Sequence, residues 1–285
     1  MVPMTRLGIP VLMFHHVEPA GAAGLVPPPL HPDSYLARRE FGEVLDTLAG
    51  RGYRTWTLAA AVARRHDGQR LPRRSVVLTF DDGCRCFRDH ALPELSARGM
   101  TATLFALSGE LGGSNRWDRP AGGPCERREE LLDAAGLRAV AAAGIEIGSH
   151  GRHHRNLTGC DAAELEAEVA GSRAELEAAL GTPVTTFCYP YGSCDERCRA
   201  AVAAAGYAAG AGIREHGLLQ GGRRGDLLVL PRLPVNPGDS RFELLLKASG
   251  AYPLWSRLPR LGLLRRLRRR RSAAPNQTAR GSEVR

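Results

Sequence analysis

The chain has 285 residues, 43% hydrophobic and 24% charged, enough apolar side chains for one sizeable core and a small appendage, which excludes disorder throughout. No apolar run approaches the roughly 18–20 residues that span a bilayer, and residues 1–10 lack the charged start, apolar stretch and cleavage site of a leader, so the expectation is a chain neither membrane-spanning nor visibly secreted. The formal net charge of +9 sits at one end, because residues 244–285 hold one Lys, ten Arg and one Glu; the near-neutral body excludes a nucleic-acid footprint spread over the fold.

Short apolar runs alternate with longer helical patterns along the chain, the mark of repeated βα units. Strands are predicted at 10–14, 75–80, 102–107, 145–149 and 185–189, with shorter ones near Tyr207 and Leu228, and helices fill the gaps. Loops are predicted at 18–33 and 108–125, both long enough to be lids or disordered segments. The clearest helix is 161–180, where Leu165, Val169, Leu176 and Leu180 share one face, five glutamates lie elsewhere and Gly181 stands at the cap; it reads as a surface helix packed on a sheet. Beyond about Gly250 the pattern dissolves, which gives a domain over 1–250 and a flexible Arg-rich tail over 251–285.

Seven cysteines, an odd number scattered through the chain, point to a reducing compartment. Cys84-x-Cys86 and Cys194-x3-Cys198 lack the paired two-residue spacing of a zinc ribbon and read as packing thiols.

Three strand ends carry the chemistry. SVVLTFDDG, 75–83, closes an apolar strand with two adjacent carboxylates, Asp81 and Asp82. In a βα fold such ends face the active-site mouth, where one acid can hold a cation and its neighbour take a proton. Alone, the pair reads more readily as a turn capping the next helix. EIGSHGRHHRNL, 146–157, adds His150 and His154 at a four-residue spacing that puts two imidazoles on one helical face or across a tight loop. Two imidazoles and a carboxylate leave an open metal position, as catalytic zinc requires. The third end, TTFCYPYGSCD at 185–195, forms a rigid corner. There Tyr189, Pro190 and Tyr191 wall a groove or, structurally, make a buried aromatic turn.

TFDDG, SHxxxH and YPYG in this order resemble the polysaccharide deacetylases with a NodB-type domain, carbohydrate esterase family 4, over about residues 10–250. The resemblance implies an α/β fold, a distorted (β/α) barrel, and a divalent metal, usually zinc, held by Asp82, His150 and His154. It further implies Asp81 as catalytic base and the Tyr191 backbone N–H as an oxyanion donor. Where much of the family has an arginine that orients the base, this sequence has Cys188; Arg232, in LPRLPV after a late strand, is expected to supply that charge. The family's late Leu-x-His is also missing. His15 and His16 instead end the first strand in PVLMFHHV, which is similar to the circularly permuted subgroup of poly-N-acetylglucosamine deacetylases. His15 is expected to be the general acid, with one of the two histidines turned away by strand alternation.

The implied reaction is metal-dependent release of acetate from an acetylated amino-sugar glycan. Hydrolysis of a small cyclic amide or imide, and glycan binding without catalysis, are the alternatives. Trp117, in the long loop beside Asn115 and Asp118, is a candidate for stacking on a sugar face. The eight arginines of 257–271 read as a disordered basic end or a peripheral contact with an anionic membrane. The expected location is the cytoplasm or the inner membrane face, with export only if the start is misassigned.

Overall fold

The computed structural model describes residues 10–21, 31–118, 127–213 and 226–252. Ten strands follow in chain order: β1 (Val11–Phe14), β2 (His16–Glu18), β3 (Tyr35–Ala37), β4 (Arg54–Trp56), β5 (Ser75–Phe80), β6 (Thr103–Ala106), β7 (Glu146–Ser149), β8 (Thr186–Cys188), β9 (Ala209–Ile213) and β10 (Leu230–Pro234). Seven of them, β5 to β10 and then β1, close into a parallel barrel, because β1 pairs with β10 through Leu12↔Leu233 and with β5 through Val11↔Val77 to Phe14↔Phe80. The N-terminal strand thus fills the gap between the last strand and the first of the βα series. β4 lies outside the ring and pairs with the first half of β5, leaving the second half to β6.

Side-chain alternation sorts the residues into two layers. Leu12, Phe14, Leu78, Phe80, Leu104 and Phe187 point outward into the main core, against α1 (Arg38–Gly50), and the helices that follow the barrel strands. Val11, Val77, Phe105, Cys188, Ala211 and Leu230 point inward and pack with Leu58, Ala61 and Val62 of α2 (Leu58–His66), which plugs the amino end of the barrel. The interior is narrow. A β-carbon on Gly148 would lie 2.5 Å from the Phe105 ring, so only glycine fits that point of β7.

The other helices are α3 (Leu92–Ser96), α4 (Ala134–Ala142), α5 (Ala162–Glu166), α6 (Ser172–Leu180), α7 (Glu196–Ala204) and α8 (Arg241–Ala248). The predicted helix over 161–180 runs without a break over 162–180, with a π-turn at Ala167–Gly171 between α5 and α6. The wider turn shifts the phase of the following residues, and Glu168, read as a surface glutamate, is buried beside Val169. Gly181 caps α6 in left-handed backbone as expected. The strands predicted near Tyr207 and Leu228 begin two residues later, at Ala209 and Leu230. Tyr207 instead packs in the outer core, donating its hydroxyl to the Val169 carbonyl. The strands β2, β3 and β4 escape prediction because three residues carry no usable period.

Among the described residues no helix is long and apolar enough to cross a membrane. Of the predicted tail only Ala251 and Tyr252 are described; the arginines of 257–271, Trp255 and Cys125 lie outside the described residues.

Candidate active site

At the carboxyl end of the barrel an open cleft of about 320 Å³ is lined by His15, Asp81, Asp82, Trp117, His154 and Tyr191, among others. β5 delivers the two carboxylates. Continuing the inward register of Val77 and Thr79, Asp81 points into the barrel mouth. Asp82 reaches the same space because its backbone turns left-handed, with φ of +73°.

Asp81 is held by a buried arginine. Arg232 on β10 donates from Nη1 to Oδ1 at 2.6 Å and from Nη2 to Oδ2 at 2.8 Å, a two-pronged pair. Its remaining donors reach the Gly212 carbonyl, the Thr79 hydroxyl and the Cys188 sulfur, and its guanidinium lies 5.7 Å from the Phe105 ring centre. Burial pushes the Asp81 carboxyl up, but the adjacent Arg232 charge and its hydrogen bonds outweigh that, holding Asp81 well below the usual carboxylate range. Cys188, the residue found where an arginine was expected, stands 3.0 Å from Arg232 Nη2. The small side chain on β8 leaves the space that the long one from β10 fills.

Asp82 has the opposite surroundings. Its buried Oδ1 has no hydrogen-bond partner among the described residues, yet His150 Nε2 and His154 Nε2 each stand 3.6 Å from it. Burial first, then the Asp81 and Asp118 charges, raises its pKa well above the ordinary range. His150 directly follows β7, and its Nδ1 lies 2.8 Å from the Cys188 carbonyl. A carbonyl only accepts, so Nδ1 carries the hydrogen and Nε2 turns its lone pair toward Asp82. Burial lowers His150 to about 4 and holds His154 well below the ordinary imidazole range, so both rings are neutral near pH 7.

The two histidines meet across a tight loop, not along a helix. Gly151 has φ of +84° and His154 φ of +55°. Glu168 fastens this loop: one carboxylate oxygen accepts the backbone N–H groups of Arg152 at 2.8 Å and His153 at 3.1 Å. That oxygen would be 2.9 Å from a β-carbon on Gly151. Sequence reasoning missed Glu168, since a glutamate in a helical period gives no hint that a π-turn carries it inward. His153 itself faces outward and pairs with Glu110 at 3.0 Å.

These donors fit a metal ion. Asp82, His150 and His154 each offer one ligand atom within 4.8 Å of the others. A carboxylate oxygen and an imidazole nitrogen bound tetrahedrally to one zinc ion lie about 3.4 Å apart, close to the 3.6 Å separations seen. Of the four non-glycine residues in left-handed backbone among those described, three are Asp82, His154 and Tyr191. Such backbone costs on the order of 1–3 kcal/mol per residue and persists where a site demands it.

The remaining predicted residues are spread around this centre. His15 follows Val11 and Met13 in the inward register, and its Nε2 lies 3.8 Å from Asp81 Oδ2. Burial, its largest influence, lowers its pKa. His16 turns away and stacks on Tyr35 at 4.1 Å. Trp117 stacks on the His154 ring at 4.8 Å and the half-exposed Tyr191 meets its edge at 4.5 Å, so the two walls hold the imidazole between them. Tyr189 and Pro190 are buried; Tyr189 touches the cleft wall, but its hydroxyl donates to the Leu228 carbonyl, away from the opening.

The sequence profile of the polysaccharide deacetylase family matches residues 68–210, half of the chain. The chain belongs to the polysaccharide deacetylase family. The matched stretch includes Asp81, Asp82, His150, His154 and Tyr191 of this deacetylase, whereas His15 and Arg232 lie outside it. Bacillus subtilis (strain 168) has a similar protein in the polysaccharide deacetylase group, YxkH, 27% identical over 244 residues, which cover 86% of this chain and 75% of that one. The fold is also similar to the Streptococcus pyogenes deacetylase PplD in complex with acetate, with a TM-score of 0.67 at 20% identity over 84% of this chain and 97% of that chain. IcaB from Ammonifex degensii has a TM-score of 0.63 at 22% identity, over 85% and 96%. The cleft is thus the candidate active site of a deacetylase.

Proposed function

We propose that this deacetylase removes N-acetyl groups from an amino-sugar polysaccharide or oligosaccharide with the help of a divalent ion, zinc by its donor set. The observation that carries the reading is the unpartnered Asp82 Oδ1 facing two imidazole nitrogens, next to a carboxylate clamped by an arginine. Asp82, His150 and His154 would hold the ion, which when bound supplies a Lewis acid for an acyl oxygen and acidifies water.

The chain's own residues supply the proton path. Asp81, unprotonated and fixed by Arg232, takes the proton of the attacking water as general base. The same arginine keeps Asp81 a weak base, so it parts readily with that proton. His15 is the neighbouring acceptor, neutral at rest, and passes the proton to the leaving amine as general acid. The Tyr191 N–H is assigned to the oxyanion; donors of this kind contribute about 3 kcal/mol where comparable sites were dissected. The shallow groove lined by Trp117, Tyr191, Arg155 and Asn156 continues from the cleft and has room for neighbouring sugars. Acetate, bound in the Streptococcus pyogenes structure, is the product expected here.

The test is acetate release from N-acetylglucosamine oligomers and small cyclic imides, with and without chelator. Chelator-sensitive acetate release confined to the oligomers supports the reading; turnover of imides alone, or full activity in Asp81→Asn, refutes it.

A further inference from the structure

Behind the cleft wall lies a second group of metal-ligating side chains, which the deacetylase reaction does not use. Cys84 and Cys86 follow Asp82 by two and four residues, and His16 arrives from β2. All three are buried, and each offers one ligand atom within 4.8 Å of the others. His16 Nδ1 stands 3.6 Å from Cys86 Sγ. A thiolate sulfur and an imidazole nitrogen on one tetrahedral zinc ion, bound at ~2.3 and ~2.0–2.1 Å, lie about 3.5 Å apart. The Cys-x-Cys spacing looked incidental in the sequence because its third partner comes from a distant strand.

The surroundings fix these donors in place. The His16 ring lies nearly parallel to Tyr35, at 10°, and Tyr35 donates its hydroxyl to Glu129 at 3.1 Å. Cys84 bridges to Leu131 in backbone pairing. Glu18, two residues after His16 on the same strand, is buried as well. Neither thiol is in a disulfide. The His16 backbone passes the catalytic cleft while its ring faces Tyr35.

We propose that His16, Cys84 and Cys86 form a second, structural zinc site that ties β2 to the segment leaving β5 and so braces Asp82. Two sulfurs and one nitrogen make this a softer donor set than the oxygen and two nitrogens of Asp82, His150 and His154. Binding releases both thiol protons to solvent, so the two thiolates cancel the charge of the dication.

The test uses the full-length chain, stripped with chelator and titrated with cobalt(II) and then with zinc, while metal content and near-ultraviolet absorption are followed. The wild type is expected to take a second equivalent of ion, with a thiolate-to-cobalt charge-transfer band that the oxygen and two nitrogens of Asp82, His150 and His154 cannot give; Cys188→Ala, which removes the one sulfur beside the catalytic group, should keep it. Cys84→Ser/Cys86→Ser should lose the band and one equivalent, whereas Asp82→Asn/His154→Ala should keep the band. If the double serine variant does not fold, His16→Asn, which retains both thiols, must weaken or shift the band. A wild-type chain that takes a single equivalent without the band overturns the proposal, as does a band that survives the double serine variant. Neither readout depends on acetate release, so this site can fail while the deacetylase reading stands.

Discussion

A carboxylate stands at each end of the barrel, partly buried at the amino end and buried at the carboxyl end, and the two are treated in opposite ways. At the amino end Glu146 accepts from the Thr186 hydroxyl at 2.5 Å and, on its other oxygen, from the Thr103 hydroxyl and the Ala59 N–H at 2.8 Å each. It pins the start of α2 across the base of the barrel. At the carboxyl end Asp82 Oδ1 has no partner among the described residues, and His154 Nδ1 is in the same position. Burial raises the pKa of both acids. An acid shielded from water with its hydrogen bonds filled is a structural joint; one left open beside two neutral imidazoles is a place for a cation. The second arrangement costs stability, and strained backbone at Asp82, His154 and Tyr191 adds to that cost.

The largest effect should come from the acid placed to take a proton. Asp81→Asn keeps the shape but removes the base, and acetate release should fall by about 10²–10⁴-fold while zinc content stays unchanged. A loss of zinc in step with activity would instead move Asp81 into the metal's own ligand set. Next comes Arg232→Ala, which strands a buried carboxylate and should cost about 3–5 kcal/mol in denaturant unfolding. Arg232→Lys should recover part of that stability but little activity, because an ammonium cannot make the two-pronged contact. Equal activity in Arg232→Lys and wild type would reduce the arginine to a filler of the barrel.

Much of this site is legible in the sequence, and the parts that are not share a cause. Asp81, Asp82, His150 and His154 stand next to strands long enough to show their period, so the strand ends can be found. His15, not His16, lies beside Asp81 because it continues the inward phase of Val11 and Met13, which sequence shows only once the barrel face of β1 is known. Arg232 is visible as a lone charge in an apolar strand. The resemblance pairs it with Asp81, but the two-pronged geometry of that pair appears only when β10 closes beside β1 and faces β5 across the interior. Glu168 hides behind a π-turn, and the grouping of His16 with Cys84 and Cys86 depends on β2 lying against the loop after β5. Local periodicity finds residues on regular elements; pairs made by ring closure or by one extra residue in a turn are set by tertiary packing.

The contrast between the two ends can be sharpened with glutamates that differ only in what they hold. Glu146→Leu leaves the Ala59 N–H without an acceptor and should lower stability by about 1–3 kcal/mol, with zinc affinity and acetate release per folded molecule unchanged. Glu168→Leu removes the acceptor for two N–H groups of the histidine loop. It should lose a comparable amount of stability and also weaken zinc binding by about 10–100-fold, as partners behind metal ligands do. Both loop bonds fall on one oxygen, so Glu168→Gln can keep them and should bind zinc nearly as the wild type does. If Glu146→Leu loosens zinc as much as Glu168→Leu, the two ends are coupled and the distinction between joint and site breaks down.

The smallest effect is expected at the cleft wall. Trp117 covers one face of His154, and its loop is tied down by Asn115, which accepts the Glu129 N–H at 2.7 Å and donates to the Arg127 carbonyl at 3.1 Å. Trp117→Ala therefore leaves the loop anchored while removing one aromatic surface. If the ring serves the sugar, KM for oligomers should rise by the equivalent of about 0.5–1.5 kcal/mol, the usual worth of an aromatic stacking contact, with kcat little changed. If it serves only to hold His154, zinc affinity should fall and KM stay constant. Trp117→Phe separates the two further, because a smaller aromatic face retains contact with the imidazole but presents less surface to a sugar ring.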